Sequence, residues 1–172
     1  MSAIAVSSIV VGSVLAGASV LGAQQAKQGD VPPAPVPTQV IGGRTVFVSN
    51  AGEENFTSAF GPVFSGGSDR AYNQFYAAMQ QWARYKLAPA PADADLVFEI
   101  GFTLGGIGPP ELGHLRLAIR DPKTNVVLWG FSEYVQSAML KGNRDKEFDR
   151  SMSAIVDDIK NLAGQSGATA KP

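Results

Sequence analysis

The sequence predicts an α+β domain: a mixed, mainly antiparallel sheet of about four to five strands, two helices on one face, in the order β-α-β-β-β-β-α. Three observations carry this. Short stretches alternate apolar and polar residues with period two, at Arg44–Asn50, at Leu96–Leu104 and on both sides of Asp121–Asn125. Two longer stretches, Tyr72 to Ala83 and Phe148 to Leu162, space their apolar residues by three and four. A length of 172 residues, 45% of them hydrophobic, leaves room for one core.

Charge is nearly balanced, with 14 Lys and Arg against 15 Asp and Glu and no run of either sign. That argues against nucleic acid or an anionic membrane as partner. The chain has no cysteine, which removes disulfides, thiolate chemistry and a lipid-bearing Cys. Stability therefore rests on packing.

Ser2 to Ala26 carries no charge and alternates Ile, Val and Leu with Ala, Gly and Ser. It reads as a secretory leader with small residues at Ala16-Gly17-Ala18 and Gly22-Ala23 for cleavage; as no Lys or Arg precedes it, either the true start lies upstream or the segment is an uncleaved anchor, with a disordered tail as the remaining reading. Residues 27–38 end in VPPAPVPT, whose prolines favour an extended spacer. The domain is expected at 39–165, followed by a flexible tail at 166–172.

In Arg44–Asn50, Val46 and Val48 alternate with Thr45, Phe47 and Ser49, a strand. Residues 51–67 show no periodicity and read as a long loop, with Asn55-Phe56-Thr57 matching a glycosylation acceptor. Ser68 and Asp69 suit a helix start, Ser68 as an acceptor for a first-turn N–H. The stripe Tyr72, Phe75, Tyr76, Met79, Trp82 and Ala83 then packs on the sheet. A short strand follows near Tyr85–Ala88, broken by Pro89 and Pro91.

Asp93 and Asp95 lie two apart before the next strand, so they could share a metal or a proton, or merely solvate a turn. In that strand Leu96, Phe98, Ile100, Phe102 and Leu104 share one face, with Val97, Glu99, Gly101 and Thr103 on the other. Gly105 to His114 reads as a Gly- and Pro-rich loop without the following helix start or GK[ST] ending of a phosphate cradle. His114 is the only histidine, which excludes a two-His metal site.

The hairpin comes next. Leu115, Leu117 and Ile119 face one way and Arg116 and Arg120 the other; after the turn Val127, Trp129 and Phe131 alternate with Leu128, Gly130 and Ser132. Asp121-Pro122-Lys123-Thr124-Asn125 suits a type I turn closed by a left-handed residue at Asn125. The last helix is expected from Asn143 to near Gly164, with Phe148, Met152, Ile155, Ile159 and Leu162 inward and Asp145, Glu147, Asp149, Arg150, Asp157, Asp158 and Lys160 on a solvated face.

The run Ile119 to Trp129, with Ala94-Asp95-Leu96-Val97 before it, resembles the strand, Asp-x-x-Thr-Gly turn, strand and Trp pattern of small α/β domains in bacterial envelope proteins. The amino-terminal domain of TolB and the CsgG-type secretion family are examples. Asn125 stands where that pattern has Gly. The resemblance implies a periplasmic or envelope domain that makes protein contacts, with no catalytic residues to carry over.

Functionally, two readings remain. The first is an exported, non-enzymatic domain with no cofactor or metal. It would bind an envelope protein or itself through the sheet face carrying Glu99, Thr103, Arg116 and Arg120, and touch a membrane only if the N-terminal segment stays uncleaved. The second is a small-ligand-binding protein or hydrolase built from Asp93, Asp95 and His114 beside the Gly-rich loop. The absence of a nucleophile and base constellation favours the first.

Overall fold

The computed structural model describes residues 34–53, 57–58, 61–105 and 111–164. The leader or anchor at 1–26, spacer residues 27–33, the Asn55 acceptor, residues 106–110 of the Gly-rich stretch and the 166–172 tail lie outside the described residues.

The elements in chain order are α1 (Thr38–Gly42), β1 (Thr45–Glu53), a small hairpin of β2 (Thr57–Ser58) and β3 (Gly61–Pro62), and α2 (Arg70–Trp82). Then come β4 (Lys86–Leu87), a 3-10 turn (Pro91–Asp93), β5 (Leu96–Leu104), β6 (Glu111–Arg120), β7 (Val127–Gln136) and α3 (Lys141–Gly164). Five strands form one sheet in the order β4-β1-β5-β6-β7. β4 and β5 pair parallel with β1, while β5, β6 and β7 are antiparallel neighbours. The α+β class and mixed sheet are as the periodicities predict, with α1 and the small hairpin as additions. A parallel neighbour requires a crossover, and α2 supplies it between β1 and β4.

One face of the sheet is the core. Val46, Val48, Leu96, Phe98, Ile100, Phe102, Leu115, Leu117 and Ile119 are buried there, against Phe75 and Met79 of α2 and Phe148, Met152, Ile155, Ile159 and Leu162 of α3. Burying one such side chain contributes about 1.5–3 kcal/mol, whereas an exposed ion pair gives about 0.2–1 kcal/mol. The five α3 anchors therefore outweigh its surface pairs Glu147–Arg150 and Asp157–Lys160.

Several local expectations are corrected. Thr38 opens α1 rather than closing an extended spacer. β1 runs on to Glu53, into the stretch read as a loop, which also holds β2 and β3. Asp69 sits before α2 but its carboxylate accepts from Asn50 Nδ2 at 2.9 Å, and no side chain caps the helix. Ala83 follows α2 as its left-handed cap at φ 54°, exposed and not part of its packed stripe. His114 lies inside β6, which begins at Glu111, so the Gly-rich loop is shorter than expected. β7 reaches Gln136, and α3 starts at Lys141, before Asn143. As β7 is a sheet edge, Trp129 is half-buried.

Candidate functional site

With both long helices on one face, no helix among the described residues covers the opposite face. Cross-strand register sets its rows: Ser49, Glu99, Ala118 and Gly130 align, as do Gly52, Gly101, Arg116 and Ser132. Thr103, His114 and Tyr134 make the next row, with the His114 and Tyr134 rings 4.6 Å apart. All four residues expected on a partner face are thus on this face.

They are not equivalent. Arg120 grips Glu99 with two bonds, Nε to Oε2 at 2.9 Å and Nη2 to Oε1 at 3.3 Å, and its Nη1 donates to the Asn125 carbonyl at 3.3 Å. That cation is answered within the fold. Arg116, two rows away, is exposed and has no hydrogen-bond or ion-pair partner among the described residues. Thr103 is half-buried at the margin.

Between these side chains lies a shallow hollow of about 510 Å³, floored by Gly101, Ala118 and Gly130 and rimmed by Glu99, Arg116 and Arg120. Its floor has two origins. β1 shifts register between Asn50 and Gly52, and a Cβ on Gly101 would come within 2.9 Å of Ala51 Cβ and 3.0 Å of the Gly52 carbonyl oxygen. Gly101 is thus demanded by packing against a bulge. A Cβ on Gly130 would meet only the Leu117 carbonyl oxygen, at 3.5 Å, so nothing in the fold requires glycine there.

The hydrolytic reading does not assemble. Asp95 accepts the Arg44 and Thr45 backbone N–H groups, both at 2.9 Å, and these bonds hold its carboxyl below the usual range. It clips the start of β5 to β1. His114 pairs with Thr103, eight residues further along β5, or about 26 Å away. Asp93 ends the exposed 3-10 turn. Among the described residues no three acidic or histidine side chains gather to hold a metal, and Asp157 is engaged by Lys160.

One constellation escaped the sequence reading. Arg70, only 6% exposed, pairs with Asp145 and with Asp149 (2.7 Å), donates to the Ser65 and Asp145 carbonyls at 3.1 Å, and lies 4.5 Å from the centre of the Phe148 ring. Asp145 and Asp149 are therefore not simply solvated. Burial pushes the Asp145 carboxyl up, but the Ser65 N–H and hydroxyl and the Arg70 guanidinium outweigh it and hold it below the usual range. The only local signal was that Asp145 and Asp149 sit four apart on one helix face. This clasp joins α2, α3 and the Ser65 loop, and it is structural.

Neither a family model nor a curated protein matches the chain. Among solved structures it is similar to a DUF330 protein from Xanthomonas campestris (12% identity, 74% of this chain and 89% of that one, TM-score 0.44). It is also similar to a PelC dodecamer from Paraburkholderia phytofirmans (14% identity, 75% and 91%, TM-score 0.41). A third is lipoprotein GNA1162 from Neisseria meningitidis (16% identity, 68% and 96%, TM-score 0.38). These are bacterial proteins, one of them named as a lipoprotein, and the resemblance to TolB and CsgG-type domains is not shown by them. Similarity this low assigns neither family nor activity.

Proposed function

We propose that this chain is an exported, non-enzymatic domain of a bacterial envelope that binds a protein partner through its open sheet face. In this reading residues 1–26 direct export or anchor the chain, 27–37 form the spacer, 38–165 the binding domain and 166–172 a tail. The observation that carries it is Arg116: an exposed cation over a hollow of small residues, while its neighbour Arg120 is already paired with Glu99. A guanidinium left unanswered on a concave surface is suited to a carboxylate brought by another chain.

The test is photo-crosslinking of the full chain in intact envelopes from a probe at Thr103, with Arg116→Glu and Arg120→Glu combined as the challenge. A discrete adduct lost on charge reversal supports the reading. No adduct, or one indifferent to both reversals, removes it. N-terminal sequencing of the fractionated native protein decides between leader and anchor.

A further inference from the structure

We infer that the partner docks by adding a strand to the free edge of β7, bringing a carboxylate to Arg116; this rests on the open face being a binding face. Sheet edges are usually blunted by brevity, lysine or proline. β4, at one edge, has two residues, whereas β7, at the other, has ten and contains no Lys, Arg or Pro. Its one charge, Glu133, is opposite Leu115 on the helix-covered face.

The backbone of β7 points the required way. The Tyr134 carbonyl accepts from Ser151 Oγ at 2.7 Å and so faces away from β6. In an antiparallel ladder this orientation recurs every second residue, so Ser132 and Gly130, in unbroken register with Arg116 and Ala118, also aim N–H and C=O outward. Neither group has a partner among the described residues. α3 satisfies one end of the edge and leaves the middle unpaired.

Register then defines the guest. A residue opposite Ser132 would share its row with Arg116, two strand spacings or about 9.6 Å away, with only the short Ser132 side chain between. An arginine and a glutamate reaching toward each other span that gap. On the other face the guest's alternate residues would lie beside the half-buried Trp129 and Phe131. The occupant is therefore an extended segment of another protein in which acidic and apolar residues alternate. A second copy fits less well, because β7 offers Gly130, Ser132, Tyr134 and Gln136 on that face and no carboxylate.

The isotope-labelled full chain is titrated with two capped decapeptides, alternating valine with glutamate or valine with lysine. The glutamate peptide is expected to shift the Gly130 and Ser132 amides and bind about threefold to fivefold tighter than the lysine peptide. Arg116→Glu should reverse that order. Ser132→Pro should abolish both, since it blocks the outward N–H and removes no bond to β6. Equal affinities, no binding of either peptide, or shifts confined to Gly101 and Ala118 overturn edge docking. Shifts in the hollow alone would leave the open-face reading standing, whereas an envelope crosslink indifferent to charge reversal would remove that reading first. Concentration-dependent shifts at Gly130 without peptide would name a second copy as occupant and overturn the proposal.

Discussion

At Asn125 the backbone takes φ 59°, and its N–H bonds the Asp121 carbonyl at 2.8 Å while Asp121 accepts from the Lys123 N–H and the Thr124 hydroxyl. A β-branched side chain is poorly tolerated there, so Asn125→Val should lower stability by about 1–2 kcal/mol and Asn125→Gly should not. Thermal melts of the two variants check this; equal losses would show that φ is not the cause. Arg70→Leu should cost more, about 3 kcal/mol, because it leaves the largely buried Asp145 carboxylate without its cation and removes the guanidinium from beside Phe64 and Phe148, and a urea titration measures it. The turn was legible because the bonds that shape it, from Lys123, Thr124 and Asn125 to Asp121, lie within five residues. The Arg70 clasp was not, since Asp145 is 75 residues from Arg70 and nothing local marks them as a pair.

At the scale of elements, period-two patterning correctly assigned the faces of β5, β6 and β7, and with them the side on which Glu99, Thr103, Arg116 and Arg120 stand. Strand ends were less legible, because pairing sets them. β6 starts at Glu111 since Gly113 fits tightly against Leu104 and Phe102 of β5, which glycines in sequence read only as loop. A Cβ at Gly113 would enter the space of the Thr103 carbonyl oxygen and the Phe102 ring. Gly113→Ala is therefore expected to destabilise by about 1–3 kcal/mol, with Gly130→Ala near neutral, as read by denaturant midpoints. Along β7, hydrogen exchange should alternate: protected amides at Trp129, Phe131 and Glu133, faster ones at Gly130 and Ser132. Uniform protection would mean the edge is already covered.

At the scale of the whole molecule, acid should act through three carboxylates among the described residues. Asp95, Asp121 and Asp145 are all held below their ordinary values, the first two chiefly by backbone N–H groups. Each therefore adds stability above the unfolded carboxylate value of about 3.9 and loses it as pH falls through the folded one. The urea midpoint should fall between pH 5 and pH 2.5, and Asp145→Asn should flatten that slope while lowering stability at pH 7. A slope unchanged in this variant would remove Asp145 from the account.

The two-residue β4 carries a last consequence for assembly. A sheet that can grow at both margins propagates, each newcomer exposing another template. Here one margin has only two residues, so if β7 takes up a strand as proposed, the domain offers a single such site and the addition stops there.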